Sequence, residues 1–329
     1  MTQWLAGVVV LVVGILPSVL WAPILAVNPE LRPAGVKKEV TIVFGGDLMF
    51  DRYIRKQMER HGEDHILSCI ADVLKSADLV VANLEGPITE NPSMSLGSVV
   101  GSPENFTFTF PTTTATLLAR HNIGLVNLGN NHIENFGARG VRSTMQFLDA
   151  AGVEHFGSPL GSMSIRKTVN RIPFAFISFN EFIGRNPSTT VAMIQAARAE
   201  GYLPIVYAHW GDEYVEPPTR VRAWAHVFAE AGAVMVVGSH PHVVQESEVY
   251  NGAHIHYSLG NFVFDQYWNE QVSTGLLLKV RFTKDGVKEI EEIPIKMHRD
   301  GRICLAKEQS HLSTVVRPVE KCLALARVA

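Results

Sequence analysis

Apolar runs of strand length alternate along most of this chain with stretches of helical period. Five of the apolar runs are rich in β-branched residues, and each leads into a turn that carries a carboxylate, an amide or an imidazole. These run-and-turn segments cover residues 40–47, 78–85, 123–132, 204–213 and 236–242. Amphipathic stretches of helical spacing cover residues 65–75, 112–120, 140–151 and 219–231. The alternation predicts an α/β domain.

The pattern changes after residue 275. Residues 276–282 and 287–295 alternate in the manner of strands, and the turn between them contains Asp285-Gly286. An Asp-Gly pair between two such runs is typical of a β-hairpin. We therefore expect the sheet to end in antiparallel edge strands.

Polar residues at the five strand ends carry the candidate chemistry. His240 and His242 follow a buried run and are separated only by Pro241. Ligands bind where the carboxyl ends of the strands of an α/β sheet meet. Histidines together with carboxylates and amides, and no nearby cysteine, suit a divalent ion such as Zn, Mn or Fe. A helix cap explains any one of these residues equally well, but five such strand ends favour a shared metal site.

Composition and charge narrow the function further. The chain has 329 residues, of which 47% are hydrophobic, enough for a sizeable core in one large or two small domains. A net charge of −3 without a long basic run gives no support for nucleic-acid binding. Residues 89–111 form the longest irregular stretch, and they lie between two of the candidate ligand segments.

The N-terminal segment differs from the rest of the chain. Residues 4–27 carry no charge and have the length of a bilayer-spanning helix, although a cleaved signal peptide is an alternative. Basic residues at positions 32, 37 and 38 favour a cytoplasmic domain by the positive-inside rule. We nevertheless expect an exported, membrane-anchored protein whose domain lies outside the cytoplasm. The predicted organisation is a membrane segment (1–28), a linker (29–38), the domain (39–300) and a C-terminal extension (301–329).

Cysteine usage leaves the redox compartment open. The chain contains Cys69, Cys304 and Cys322, and an odd number leaves at least one unpaired. Cys69 falls on the apolar face of the predicted helix 65–75, so we expect it to be a buried free thiol.

Six motifs resemble those of the CapA capsule-synthesis family. They are Gly45-Gly46-Asp47-Leu48-Met49, Asn83-Leu84-Glu85, Asn130-Asn131-His132-Ile133-Glu134-Asn135-Phe136-Gly137, His209-Trp210-Gly211, Gly238-Ser239-His240-Pro241-His242 and Tyr257-Ser258-Leu259-Gly260-Asn261-Phe262. The resemblance spans residues from about 40 to about 270 in unbroken order. It implies the calcineurin-like metallophosphatase superfamily and a four-layer α-β-β-α sandwich. It also implies a role in making or exporting poly-γ-glutamate.

The resemblance further implies a site with two divalent ions. The metal ligands would be Asp47, Glu85, Asn131, His209, His240 and His242. Asp47 and His242 would bind the first ion, Glu85 would bridge both ions, and the other three would bind the second. His132 would be the general acid that protonates a leaving oxygen. Two such ions activate a water and clamp the attacking and leaving oxygens.

Departures from the wider superfamily weaken the expectation of phosphatase activity. Met49 stands where a metallophosphatase has a histidine ligand, and a thioether is a poor ligand for a hard ion. Glu85 replaces the shorter bridging aspartate. Glu134 stands where the CapA branch commonly has aspartate, and it keeps the carboxylate.

Several further residues are candidates for the surroundings of the site. Arg52 and Arg55 follow Asp47 and can meet an anionic substrate, although a solvated helix face is an alternative. Glu213 and Asp265 are candidates to orient the histidines. Asn261 is a further candidate, with a purely structural turn as the alternative.

Two functional hypotheses follow. The first is a membrane-tethered, metal-dependent hydrolase of a phosphoester or an amide-linked envelope polymer. The second is a non-catalytic component that binds an anionic polymer such as poly-γ-glutamate, or a membrane synthase complex. The retained ligands favour the first hypothesis, whereas Met49 favours the second.

Overall fold

The computed structural model describes residues 1–2 and 39–306. Nearly all of the predicted membrane segment, its linker and most of the predicted C-terminal extension lie outside these residues. The described part forms two β-sheets and six α-helices. None of its helices has the length and apolar character needed to cross a membrane.

The first sheet contains the N-terminal strands and the predicted hairpin. Its strand order is β14-β13-β12-β1-β2-β3-β4, and β11 pairs with β1 beyond this path. The strands are β1 (Val40–Leu48), β2 (Leu79–Leu84), β3 (Ile123–Asn127), β4 (Glu154–Phe156), β11 (Asn261–Val263), β12 (Thr274–Thr283), β13 (Gly286–Met297) and β14 (Ile303–Leu305). The strands from β1 to β4 are parallel, whereas β12, β13 and β14 are antiparallel, as the Asp-Gly turn predicts.

The second sheet is mixed and has the order β5-β6-β7-β8-β10-β9. Its strands are β5 (Ser164–Val169), β6 (Ile172–Asn180), β7 (Leu203–His209), β8 (Met235–Ser239), β9 (Ser247–Tyr250) and β10 (Ala253–His256). Strands β6, β7, β8 and β10 run parallel, and β7 and β8 are buried along their whole length. Burial on both faces explains why their sequences are continuous apolar runs rather than alternating ones.

The helices follow the strands in sequence. They are α1 (Arg52–His61), α2 (Ala71–Lys75), α3 (Thr114–Arg120), α4 (Gly137–Ala151), α5 (Ser188–Ala199) and α6 (Thr219–Glu230), with short 3-10 turns at Glu63–His65 and Pro103–Phe106. The Asp51 side chain caps α1 by accepting from the backbone N–H of Arg52, and α4 ends at Gly152 with a φ of 73°.

Three apolar clusters show how these elements pack. The first lies between α1–α4 and the first sheet, and the second lies between the two sheets. The third lies between the second sheet and α5 and α6. Consecutive residues of one strand belong to different clusters, because their side chains lie on opposite faces of the sheet. Val43 and Phe44 of β1 are an example. The layers therefore follow the order helices, sheet, sheet, helices.

The predicted helix 65–75 is shorter in the structure. Only Ala71–Lys75 is α-helical, and residues 66–70 form turns. The backbone carbonyl of Ile66, which a continuous helix would use internally, instead accepts from the N–H of Ile303 at 2.8 Å. A hydrogen bond to strand β14 thus takes the place of a hydrogen bond within a helix.

The expectation of a free thiol at Cys69 is wrong. Cys69 lies on this turn, is exposed, and forms a disulfide with Cys304 of β14. Cys304 and β14 lie beyond residue 300, the predicted end of the domain. The sheet continues to Leu305.

Candidate metal centre

Strand ends from both sheets converge at one edge of the molecule. Asp47 lies near the end of β1, Glu85 directly follows β2, and His209 is the last residue of β7. His240 and His242 follow β8, and their ring centroids lie 5.9 Å apart. This is the edge at which ligands bind in α/β folds.

The loop after β8 has an unusual backbone. His240 and His242 have φ values of 97° and 57°, in the region that side chains other than glycine rarely adopt. A Cβ on Gly238 would lie 1.9 Å from the carbonyl oxygen of Tyr257, so only glycine allows the approach that precedes the loop. Strained residues of this kind cluster at functional sites, and here the strain accompanies two imidazoles that lie on the same site.

Glu85, His240 and His242 form the centre of the cluster. One ligand atom from each lies within 4.8 Å of the others, and all three side chains are buried. The Nε2 atoms of His209 and His242 lie 3.7 Å and 3.8 Å from Oε1 of Glu85. An ion held by bonds of about 2.0–2.2 Å fits between atoms at this separation. These donors can hold a divalent metal ion.

Asn131 and Asp47 lie on different sides of this centre. Oδ1 of Asn131 is 2.8 Å from Nε2 of His209, on the same edge of the ring as Glu85. Asp47 faces the other edges of the rings, with its oxygens 3.8 Å from Nδ1 of His209 and 3.6 Å from Nδ1 of His242.

The oxygens of Asp47 are also engaged within the protein. Oδ1 accepts from Nδ2 of Asn83 at 2.8 Å, and Oδ2 accepts from the backbone N–H of His240 at 2.9 Å. The structure therefore brings Asp47 to the site as a residue that holds the His240 loop, whereas Glu85 faces the ligand nitrogens.

The electrostatics of the cluster suit a cation. Among the described residues, both oxygens of Glu85 and Nδ1 of His240 are buried without a hydrogen-bond partner. Burial, and then the nearby charge of Asp47, raise the pKa of Glu85 well above its usual range. Burial raises the pKa of Asp47 to about 7 and lowers that of His240 to about 4. Buried carboxylates beside neutral imidazoles are the state that a metal ion requires and stabilises.

His132 lies on the loop that follows β3. It is half-buried, its Nδ1 lies 3.2 Å from Oδ1 of Asn135, and its ring lies 4.5 Å from that of Phe108. Burial, together with the positive charge of Arg52, lowers the pKa of His132 to about 4. A charge on His132 also lowers the pKa of His209 and His240, so this ring lies within electrostatic reach of the ligands.

Arg52 and Asp265 form an ion pair beside the site. The Arg52 guanidinium donates to Asp265 and lies over the rings of Phe108 and Phe264, at 5.1 Å and 5.4 Å from their centroids. Asp265 also accepts from the backbone N–H of Tyr53 at 3.2 Å. Asp265 is thus engaged with the start of α1, and its expected role in orienting a histidine stays a prediction.

The remaining candidates differ in their contacts. Oδ1 of Asn261 lies 2.9 Å from Nδ1 of His242, so this residue can orient the ligand as well as shape the turn. Glu134 and Glu213 are exposed. Arg55 is ion-paired to Asp51 at 3.0 Å and its side chain is mostly buried, so it does not lie on a solvated helix face. Its contact with an anionic substrate stays a prediction.

A buried amide chain beneath the site escaped the sequence interpretation. Asn83 donates to Asp47 and accepts from Asn127 and Asn130 at 3.0 Å and 3.2 Å. Asn130 in turn accepts from the backbone N–H of His132 at 3.1 Å. The sequence did carry a signal for this chain. Asparagine is disfavoured in strands, yet it occupies the buried ends of two neighbouring ones.

Two other residues refine the picture. The half-exposed ring of Phe182 lies 4.5 Å from that of His240, at the mouth of the site. Met49 is fully buried in the first apolar cluster, and its Sδ accepts from the backbone N–H of Asp51 at 3.0 Å. Met49 therefore belongs to the core.

The fold and the site together define an α/β protein with a candidate metal centre at the ends of its strands. The chain belongs to the family described as "Bacterial capsule synthesis protein PGA_cap", which matches residues 41–266.

Curated relatives agree with this family. The chain is 29% identical over 298 residues to the PGA biosynthesis protein CapA of Bacillus subtilis, covering 84% of this chain and 77% of that protein. It is 27% identical over 319 residues to the capsule biosynthesis protein CapA of Bacillus anthracis, covering 90% and 76%. A "probable polyglutamine synthesis accessory protein" of Mycobacterium tuberculosis is 27% identical over 169 residues, covering 42% and 44%.

Proposed function

We propose that this protein acts in the synthesis or export of a poly-γ-glutamate capsule, as a metal-dependent hydrolase of a phosphoester or of the amide-linked polymer. The names of the two Bacillus relatives support the pathway. The observation that carries the hydrolase is Glu85, whose buried carboxylate has no hydrogen-bond partner among the described residues and faces the imidazoles of His209 and His242.

The fold that we propose is the four-layer sandwich of the calcineurin-like metallophosphatases. The layer order and the ligands at the strand ends support it. We propose two divalent ions, because each unpartnered oxygen of Glu85 can serve one ion. Nitrogen and oxygen donors without thiolate suit Mn, Zn or Fe, and such ions supply Lewis acidity and an activated water.

The protein's own groups would have distinct roles in hydrolysis. His132 would donate a proton to the leaving oxygen once the negative charge of a bound substrate raises its pKa from about 4, and Asn130 and Asn135 hold its loop. Asn261 would keep Nδ1 of His242 engaged, so that Nε2 faces Glu85. Arg52 would attract an anionic group, although its pairing with Asp265 reduces its net charge.

We also propose that the domain works outside the cytoplasm, tethered by residues 1–28 and associated with a membrane synthase complex. The Cys69–Cys304 disulfide supports an oxidising compartment, because disulfides are rare in reducing cytosol. Deleting residues 1–28 should leave a soluble, folded domain. Recovery of the intact full chain in the soluble fraction would contradict the tether.

A non-catalytic role in binding the polymer or the synthase is the second candidate. Met49 favours it, because the position at which a metallophosphatase carries a histidine ligand is filled here by a buried core residue. A site with fewer ligands can hold a metal for structure alone.

One experiment separates the two candidates. The purified domain is supplied with Mn or Zn and tested on an activated phosphodiester and on poly-γ-glutamate. His132→Ala should lower the rate by about 10²–10⁴-fold while the metal content stays unchanged, whereas His240→Ala should lower both. If the wild-type domain hydrolyses neither substrate and binds the polymer equally well with and without His132, the binding role replaces the hydrolase.

A further inference from the structure

A polar groove lies between the start of the long irregular segment and one face of α4. Its volume is about 540 Å³. It is lined by Thr89, Glu90, Asn91, Arg139, Arg142 and Ser143, with Gln146 at one end. Residues 139, 142, 143 and 146 are spaced so that they share one face of a helix. The groove is therefore a built feature with one wall from a helix and one from an irregular segment.

The two arginines of this groove are not neutralised. Arg139 and Arg142 are exposed, and within residues 39–306 neither forms an ion pair. Arg52, Arg55 and Arg220, in contrast, are each paired with a carboxylate. Glu90 is the one acid that lines the groove, so the lining carries a net charge of about +1.

Both walls of the groove are close in sequence to residues of the metal centre. The backbone N–H of Ile88 donates to Oγ1 of Thr144 at 2.9 Å, which docks the segment after Glu85 onto α4. Thr89 follows Glu85 by four residues, so the two Cα atoms lie at most about 14 Å apart. The other wall, α4, begins five residues after His132. We therefore expect a chain bound in the groove to run towards the site.

We propose that this groove is a carboxylate-binding subsite for an anionic polyamide, whose next units lie at the metal centre. The proposal rests on the proposed function and names the part of the protein that holds the polymer. Arginine guanidinium groups bind carboxylates in two-pronged fashion. The side-chain amides of Asn91 and Gln146 can donate to and accept from the amide backbone of such a polymer. Poly-γ-glutamate presents both kinds of group in every unit.

Binding of a labelled poly-γ-glutamate oligomer tests the subsite. Fluorescence anisotropy is measured with EDTA present, so that the metal centre does not contribute. The double variant R139E/R142E should weaken binding by at least about tenfold, because charged hydrogen bonds are lost. Binding by the wild type should also weaken as salt is raised, and less steeply in the variant.

A matched control separates local contacts from overall charge. Lys56 and Arg60 are exposed basic residues on one face of α1, and K56E/R60E makes the same change in charge. This control should bind the oligomer within about twofold of the wild type. Three results would overturn the subsite: no binding by the wild type, unchanged binding by R139E/R142E, or an equal loss in the control.

The subsite and the hydrolase fail in different ways. R139E/R142E should still hydrolyse a small activated phosphodiester, because such a substrate does not reach the groove. His240→Ala should lose that hydrolysis and keep the binding measured in EDTA. If no variant or wild type hydrolyses the substrate but the polymer still binds, the hydrolase proposal fails and the subsite proposal stands. If His240→Ala loses polymer binding in EDTA, the polymer does not bind at a groove separate from the metal centre.

Discussion

Glu85 is a buried carboxylate whose surroundings suit a bound cation. Its two oxygens have no hydrogen-bond partner among the described residues, and burial raises its pKa well above the usual range. An unsatisfied buried polar group costs about 1–3 kcal/mol. The sequence placed this residue at the site correctly, but its isolation from protein donors became visible only in the structure.

We predict that Glu85 makes the stability of the metal-free protein pH-dependent. Histidines whose pKa is lowered in the folded protein act in the opposite direction up to about pH 7.5, because the unfolded chain still binds protons there, and they contribute little at higher pH. Burial raises the folded-state pKa of Asp47 to about 7, and that of Glu85 is raised as well. The unfolded chain then binds fewer protons, so the free energy of unfolding should fall as pH rises, by at most about 1.4 kcal/mol per pH unit for each group.

Glu85→Gln should reduce this fall, as measured by urea denaturation in EDTA from about pH 7.5 to about pH 9. The exposed Glu134 provides the control, and Glu134→Gln should behave like the wild type. If the free energy of unfolding changes with pH in the same way in the wild type and in Glu85→Gln, the raised pKa of Glu85 is contradicted.

Asn261 should act on the metal through His242. Removing the Oδ1 atom that lies 2.9 Å from Nδ1 of His242 frees the ring to rotate. We expect Asn261→Ala to weaken Zn or Mn affinity about 10–100-fold, measured by competition with a metal chelator. Asn269→Ala is the control, because it removes the hydrogen bond from the backbone N–H of Val272 without contact to a histidine. Equal losses in both variants would indicate a general change in this segment.

At the scale of elements, the buried side chain of Asp51 is a main link between residues 89–111 and α1. Asp51 caps α1, pairs with Arg55, and accepts from Ser93 and from the backbone N–H of Thr109 at 2.8 Å. The same segment carries Phe108 to the ring of His132. Asp51 therefore joins α1 to the long segment at two points, and Arg55 adds a hydrogen bond from α1 to the carbonyl of Thr109.

Asp51→Ala should therefore destabilise the domain by about 3 kcal/mol, since it leaves Arg55 without its buried partner. It should also speed proteolytic cleavage within residues 89–111. Urea denaturation and timed protease digestion measure the two effects. Asp72→Ala, at an exposed position of α2, should change stability by less than about 0.5 kcal/mol. An intact, slowly cleaved segment in Asp51→Ala would contradict this role.

The elements differ in how well their sequences predict them. Strands β1, β2, β3, β7 and β8 were predictable because burial on both faces demands continuous apolar runs. The hairpin of β12 and β13 was predictable from Asp285-Gly286. The α5 helix was not, because Ser188 and two threonines open a sequence of weak amphipathic character. The turns at residues 66–70 depend on β14, which is distant in sequence.

At the scale of the whole molecule, the Cys69–Cys304 disulfide joins positions separated by 235 residues. It fastens the edge strand β14 to the turn before α2. No local pattern predicts such a pairing, because it depends on which distant strand closes the first sheet. The site has the same limit. The strand ends that form it were predictable from the sequence. Which edge of the histidine rings Asp47 faces depends on how the two sheets pack, and no local pattern predicts that.

Loss of this disulfide should lower stability without altering the site. Cys304→Ala should reduce the free energy of unfolding by about 2–5 kcal/mol, and a reducing agent should lower the melting temperature of the wild type similarly. Cys322→Ala is the control and should behave like the wild type. Equal melting temperatures for the wild type with and without reductant would contradict a structural disulfide.

The central claim is that Glu85, His209, His240 and His242 hold a divalent metal. Elemental analysis of the purified domain tests it most directly, with the metal bound per chain counted after dialysis. We predict at least one Mn, Zn or Fe per chain in the wild type and in His132→Ala, with two as the proposed full complement, and little in His240→Ala. A wild type without bound metal, or an unchanged metal content in His240→Ala, would contradict the account.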